Sequence, residues 1–450
     1  MQTSSQKNNA KASATDQFST SGFILAAIGS AVGLGNMWKF PYITGQYGGA
    51  AFFLLFFCCL LFVGLPILLA EMAIGRSGRG NAVSSFYALS QNKIWGKLGF
   101  LTVLTPFLIL SFYAIVAGWT LHYATISLTG GLFNVPDYTE AFVGFASGYM
   151  PLFWQVVTMA LTCFVVVKGI SGGIEKFNKV LIPGLGIILI VLMIRSLTLP
   201  GAAQGVDFFL NPDFSKLGAE SALVALGHAF FSLSLGMGAM LTYGAYVRPE
   251  QSLGKATLAI GAGDLLYAFI AGLIIFPTAF SYGIEPSQGA GLVFMALPAA
   301  FAAMPFGNLF GFLFFILLAI AALTSMVSLL EVPVAYAMNR WNVDRKKATI
   351  LVTIAVFLLG VPSALAMGPL ADFTIFGKNF FDFMDFITAN IMLPLGGLIV
   401  TLFTGYAWKR VGEETGISGF WYNVWMFLLR YVAPIMVVLI FAHSLGLIQF

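Results

Sequence analysis

Charge is what this chain lacks most. Lys, Arg, Asp and Glu make up only 9% of its 450 residues, where a soluble domain carries about a quarter. So little charge excludes an ordinary water-soluble globule, and the 59% hydrophobic content points to a chain that lives in lipid. Cysteine is scarce as well. Cys58, Cys59 and Cys163 lie within apolar runs, where a free thiol packs as a small hydrophobe, so neither a disulfide framework nor a CxxC metal centre is expected. The histidines, His122, His228 and His443, form no HExxH pattern or acid cluster, which argues against a membrane-embedded metalloenzyme. No repeated filter sequence or ring of charges suggests a channel. Long polar stretches are missing too, so no soluble domain is expected. The Ser/Lys/Asn-rich stretch through Asp16 has no short apolar core before a small-residue cleavage site and does not resemble a cleavable signal.

What is present is a series of apolar runs. Eleven are long enough to cross a bilayer, near 20–46, 50–75, 98–128, 151–168, 178–198, 219–246, 252–283, 308–340, 348–367, 383–408 and 420–443. Most of the cations fall on one side of this threading, Lys7, Lys11, Arg76, Arg79, Lys93, Lys97, Arg340, Arg345, Lys346, Lys347, Lys409 and Arg410 among them, while the opposite loops hold mostly acids, with Lys216 and Lys378. Basic loops stay cytoplasmic, so the amino end is expected inside and, after an odd number of spans, the carboxyl end outside. The basic clusters therefore report topology and not nucleic-acid binding, and no obligate protein partner is evident. The loop 284–307, rich in Ala, Pro and Phe, is apolar enough to pack into an external vestibule.

Two of the runs are interrupted. Gly29-Ser-Ala-Val-Gly-Leu-Gly-Asn-Met-Trp-Lys-Phe-Pro41 places three glycines, an Asn, a Lys and a Pro inside the first. Lipid offers no partner for loose backbone groups, so such a break survives only when buried in protein or lining a watery cavity. A second break follows at Phe230-Phe-Ser-Leu-Ser-Leu-Gly-Met-Gly238. Paired Gly-interrupted segments in corresponding positions of two halves mark a secondary transporter with its site at mid-membrane. Asp264, in Gly261-Ala-Gly-Asp-Leu-Leu-Tyr267, enters an apolar span with no sequence neighbour of opposite charge. An intramembrane acid costs about 2.5–3.5 kcal/mol on insertion scales and is read first as functional; the alternative is that it faces the cytosol at a helix start.

These breaks resemble those of the neurotransmitter:sodium symporter family. Glu71-Met-Ala-Ile-Gly-Arg76, Ser111-Phe-Tyr113, Ala321-Ala-Leu-Thr-Ser325 and Asp382-Phe-Met-Asp385 extend the resemblance over nearly the whole chain. It implies an all-α membrane protein with a LeuT fold, in which eleven helices include a 5+5 inverted repeat and broken helices 1 and 6. The expected organisation is a flexible cytoplasmic stretch 1–18, a core 19–408 with repeats at about 19–198 and 219–408, and an added span 420–443. The function implied is import of an amino acid with sodium by alternating access, in the plasma (inner) membrane of a bacterium.

By the same resemblance, one sodium is held by the carbonyls of Gly29, Val32 and Ala321 with the hydroxyls of Thr324 and Ser325. Read alone, that hydroxyl pair is as well explained by bonds to the preceding helical turn. The other sodium takes the Ala31 carbonyl, Asn36, Ser232, Asp264 and the substrate carboxylate. Family members that need chloride carry Asn near Asp264, so the fixed carboxylate implies chloride independence. Gly33 stands where monoamine transporters carry Asp, which leaves room for a substrate carboxylate against Leu34, Gly35 and Tyr113. Ser30, Ile109, Val116, Phe231, Ser234, Met237, Ser325 and Leu329 would line a side-chain pocket suited to a neutral hydrophobic amino acid; a small or polar amino acid or compatible solute is the alternative.

Gating shows agreement and departure. Lys39 and Asp385 match an outer gate pair that usually has Arg first, and Lys lacks the bidentate fork, so a looser latch is expected above an aromatic lid of Tyr113 and Phe231. Glu71 is expected either to hold loose amides of the breaks or to pair with Arg76. His228 stands where the family has Gln and is expected neutral with its nitrogens bonded, the alternative being a pH role. The family's inner ion pair is absent: its positions read Ala14, Gln17 and Asn339, leaving Lys11, Asp16 or Arg340 as substitutes, or an inner side that simply opens more easily. Gly173 and Pro183 match a spacing that lets span 5 unwind; a static kink is the alternative.

Overall fold

A computed structural model describes residues 16–285, 292–444 and 446–448, so Lys7, Lys11 and Ala14 lie outside the described residues. Nine of its helices are long and apolar enough to cross a membrane. They are Ala50–Gly78 (span 2), Lys93–Leu128 (span 3), Met150–Val167 (span 4), Ile170–Leu197 (span 5), Leu253–Ser281 (span 7), Gly307–Trp341 (span 8), Arg345–Ala364 (span 9), Phe380–Ala407 (span 10) and Gly419–His443 (span 11). Two more are discontinuous. Span 1 consists of Thr20–Ala31 and Gly35–Gln46, bent by 42°; span 6 consists of Ala219–Ser232 and Ala239–Ala245 with residues 233–238 between. The chain is a multi-pass membrane protein.

Local chemistry explains both interruptions. The first half of span 1 starts on Ser19, whose hydroxyl accepts from the Gly22 amide, and ends at Val32, whose ψ of 75° leaves the helical region. The helix resumes at Gly35 through a π-helical turn that passes into Phe40–Gln46, and Pro41, which has no N–H to donate, directly follows that turn. In span 6 the chain turns left-handed at Ser234, Gly236 and Gly238, with φ of 55°, 75° and 67°. Gly236 is required twice over: by its φ, and because an added Cβ would strike the Leu393 carbonyl of span 10.

Five crossings are an odd number, so spans 6–10 begin on the membrane side opposite to spans 1–5 and the halves are inverted. Each half opens on its broken helix, and their third members, spans 3 and 8, pack along one another. These two form the centre: 72% and 83% of their most apolar stretches are buried in protein, against 22% for span 5 and 33% for span 11, which face lipid. Span 11 lies against span 10. The loop after span 7 returns as Leu292–Ala303, a short apolar helix. Its Phe294 packs edge-on against Trp38 and Trp119, at 6.4 and 5.7 Å between ring centres.

Candidate functional site

The two breaks meet at the centre of the molecule around a cavity of about 20 Å³. Span 1 lines it with Ser30, Ala31, Gly33, Gly35 and Asn36, and span 6 with Phe231, Ser232, Ser234 and Met237. Span 3 adds Ile109 and Tyr113, and span 8 adds Ser325 and Leu329. Every residue expected around the substrate is thus gathered here except Leu34 and Val116. Leu34 contributes only its backbone, whose amide donates to the Tyr113 hydroxyl at 3.1 Å. Val116 lies one turn too far out and lines a second, outer cavity. At Gly33 a Cβ would stand 2.8 Å from Ser325 Oγ and 3.2 Å from the Tyr113 hydroxyl. Hydroxyls close the break around Ser30: Ser234 Oγ donates to its carbonyl at 2.8 Å and Ser325 Oγ at 3.3 Å, while Ser328 Oγ meets Ser30 Oγ at 2.7 Å.

Asp264 is fully buried in span 7, not at a cytosolic helix start. Its Oδ1 accepts from Ser232 Oγ at 2.5 Å and from Asn36 Nδ2 at 2.8 Å, and Ser232 Oγ also lies 2.9 Å from Asn36 Oδ1. Its Oδ2 has no hydrogen-bond partner among the described residues. The ion pairs among the described residues are Arg76–Glu414, Lys179–Glu175 and Arg345–Glu331, so no side-chain cation answers this carboxylate. A buried charge without a partner is costly, and a hard cation with oxygen ligands removes the deficit. Asn36, Ser232 and Asp264 fit sodium on these grounds, with Ala31 lining the same cavity.

The other predicted ion ligands also converge, with a difference. Thr324 Oγ1 donates to the Ala321 carbonyl at 3.0 Å, and the single Ser325 hydroxyl proton is shared between the Ala321 and Ser30 carbonyls, at 3.2 and 3.3 Å. The helical back-bonding expected of an isolated pair is therefore made, and it leaves the hydroxyl lone pairs open to a cation. Val32 has its amide on the Ile28 carbonyl at 2.7 Å. Gly29 faces Asn178 of span 5, whose buried Oδ1 has no partner; sequence reasoning missed this oxygen, because a single Asn near a helix start carries no signal.

Glu71 is resolved in favour of the breaks. Its Oε1 accepts from the Gly236 amide at 2.7 Å, while Arg76 turns away to Glu414 and to the Gln251 carbonyl. Tyr113 and Phe231 line both the inner cavity and an outer one of about 290 Å³, and so form the partition between them. Lys39 and Asp385 both border the outer cavity without closing into an ion pair; Lys39 Nζ lies 5.5 Å from the centre of the Phe231 ring. The expectation of a hydrogen-bonded His228 is corrected. Neither ring nitrogen has a hydrogen-bond partner among the described residues, and the imidazole sits between Phe40 and Phe56, which are 5.5 and 5.1 Å away. Pro183 lies within a continuous helix, and the distortion of span 5 falls instead in the π-helical turn Ile170–Glu175 that contains Gly173.

On the inner side Asp16, one of the residues expected to stand in for the absent ion pair, ties the chain before span 1 to the start of span 5 by hydrogen bonds and not by an ion pair. Its carboxylate accepts from the Ile170 and Ser171 amides, each at 2.8 Å, and from Ser171 Oγ at 2.9 Å. Burial opposes its charge, but these donors hold it below the usual carboxylate range. Arg340 makes no ion pair among the described residues. The group that sequence reading passed over is Glu331, fully buried in span 8 and gripped by Arg345 at 2.7 and 3.0 Å, with the Tyr246 hydroxyl donating at 3.0 Å. The rule that singled out Asp264, an acid inside an apolar span, applied equally to Glu331.

Comparison with known proteins shows what the chain is similar to. The sequence model of the sodium:neurotransmitter symporter family matches residues 16–135 and 147–449. An uncharacterized sodium-dependent transporter, YhdH of Bacillus subtilis, is 38% identical over 95% of this chain and 97% of its own. The human sodium- and chloride-dependent creatine transporter 1 is 28% identical over 67% of this chain and 56% of its own. Among solved structures, MhsT in complex with L-phenylalanine superposes with a TM-score of 0.89 and 46% identity, covering 95% of this chain and 99% of that one.

Proposed function

Since this chain belongs to the sodium:neurotransmitter symporter family, a group of transporters and not of enzymes, we propose that it imports neutral hydrophobic L-amino acids with sodium. The observation that carries the reading is the cavity between the breaks. One wall is apolar, from Ile109, Phe231, Met237 and Leu329, and the other holds the Asn36–Ser232–Asp264 cluster. Two sodium ions supply positive charge for the substrate carboxylate and for closing the broken helices. Asn36, Ser232, Asp264 and the Ala31 carbonyl hold the first; Gly29, Val32, Ala321, Thr324 and Ser325 hold the second. The Asp264 carboxylate stands where a mobile anion would otherwise be needed, so transport proceeds without chloride.

Gly33, Leu34 and Gly35 offer backbone to the substrate carboxylate, and the Tyr113 hydroxyl donates to it. The carbonyls of the span 6 break receive the ammonium group. Met237 is unbranched and adapts to side chains of different shape. Tyr113 and Phe231 close over the bound amino acid, with Lys39 and Asp385 approaching above them, and Asp16 holds the inner end until release. The proposed setting is a bacterial inner membrane with the amino end cytoplasmic and the carboxyl end external. The solved complex of MhsT with L-phenylalanine supports the substrate class. A second reading, a small or polar substrate, is favoured by the cavity of about 20 Å³. Thermal stabilisation of the purified protein separates the two: phenylalanine, leucine and tryptophan should raise the melting temperature in sodium and not in potassium, and glycine or betaine should not. Stabilisation by glycine or betaine alone would favour the second reading.

A further inference from the structure

A groove on the basic face, remote from the central cavity, is built for a different ligand. It lies between the helix Ala82–Ser90, the start of span 3 and the end of span 8, and has a volume of about 630 Å³. Lys93, Lys97 and Arg340 line it, and no acidic side chain does. All three are exposed and make no ion pair among the described residues. Lys93 and Lys97 are one helical turn apart and so share a face. Phe100 and Tyr336 form an apolar floor, with ring centres 5.4 Å apart.

The rim is as informative as the lining. Ile94 and Trp341, next in sequence to Lys93 and Arg340, are 64% and 59% exposed, and Tyr87 and Phe100 of the lining are 43% and 41% exposed. Large apolar side chains that alternate with unpaired Lys and Arg at a span end mark the level where headgroups meet acyl chains. A free anion in water has no use for that apolar rim, whereas a phosphodiester with acyl chains satisfies both parts. Basic pockets between spans on the cytoplasmic side are suited to anionic headgroups.

We propose that this groove binds an anionic glycerophospholipid of the cytoplasmic leaflet, its phosphodiester held by Lys93, Lys97 and Arg340 and its chains lying over Phe100 and Tyr336. The lipid bridges the short helices before span 3 and the inner end of span 8, next to the cavity lined by Asp16, Tyr246 and Arg345. It thereby ties two elements that border the inner exit. The proposal rests on the cytoplasmic placement of the basic face and is independent of which substrate is carried.

The test uses the full-length protein, delipidated in nonionic detergent and titrated with short-chain phosphatidylglycerol or phosphatidylcholine under native mass spectrometry. Three basic residues near a charged surface should together favour the anionic lipid by roughly a hundredfold at low salt. Lys93→Gln/Lys97→Gln/Arg340→Gln should lose most of that preference. Lys346→Gln/Lys347→Gln/Lys409→Gln, which removes equal charge elsewhere on the same face, should keep it. The charge-preserving Lys93→Arg/Lys97→Arg/Arg340→Lys should also keep it and controls for folding. The proposal is overturned if the first variant retains the preference, or if the second loses as much. It is likewise overturned if inorganic phosphate competes as well as the lipid, which would make the groove a free-phosphate site.

Discussion

Replacing Gly33 by Asp tests the placement of the substrate carboxylate. The new Cβ would lie 2.8 Å from Ser325 Oγ and 3.2 Å from the Tyr113 hydroxyl, so its carboxylate enters the cavity where the substrate's own carboxylate is proposed to sit. Two such charges about 4 Å apart repel by roughly 4 kcal/mol at an effective dielectric of 20, or about a thousandfold in affinity. The steric part is smaller. Gly33→Ala introduces the same Cβ without charge and requires Ser325 to shift, at about 0.5–1.5 kcal/mol for a displaced rotamer, so a loss of up to about tenfold is expected. Competition binding with labelled L-phenylalanine in detergent, in high sodium, reads both. The alanine variant should bind the amino acid within about tenfold of the wild type. The aspartate variant should fall about a further thousandfold while melting at a similar temperature. Phenethylamine and tryptamine, which lack the carboxylate, should not compete on the wild type. Binding by the aspartate variant at the level of the alanine variant, or equal competition by amines and amino acids, would refute the reasoning.

Three other perturbations follow from the same structure. Uptake by the wild type should be unchanged when gluconate replaces chloride, and Asp264→Asn should abolish uptake or make it respond to chloride; a chloride requirement in the wild type contradicts the role given to Asp264. Glu71→Ala removes the acceptor of the Gly236 amide and should destabilise the protein by about 1–3 kcal/mol, whereas Glu71→Gln, which still accepts, should recover much of that loss in a melting assay. Arg345→Ala strands the buried Glu331 carboxylate and should cost about 3–5 kcal/mol, a larger drop in melting temperature than for Glu331→Gln/Arg345→Met; equal drops would mean that the pair bears no buried charge.

The breaks were readable in the sequence because glycine, asparagine and lysine in an apolar run violate what lipid allows, and a violation narrows the possibilities. Asp264 was readable for the same reason, and the cavity around Tyr113 and Phe231 followed once the breaks were anchored. Other features depend on geometry that residue types do not encode. Asn178 faces Gly29 only because span 5 crosses span 1 there. Val116 is separated from the inner cavity by the Tyr113 partition, one helical turn away, a distance that motif spacing does not resolve. His228 reads as a bonded histidine because buried imidazoles usually are, whereas here Phe40 and Phe56 supply its surroundings. Asp16 is held by backbone amides of a turn 154 and 155 residues distant, and no side-chain pattern announces such a contact.

The central claim is that sodium and an amino acid cross together. Purified protein in liposomes, loaded with potassium and diluted into sodium, should accumulate labelled L-phenylalanine above equilibrium, and the accumulation should collapse when external sodium is replaced by potassium. Equal accumulation in potassium, driven by a proton gradient alone, would contradict the account.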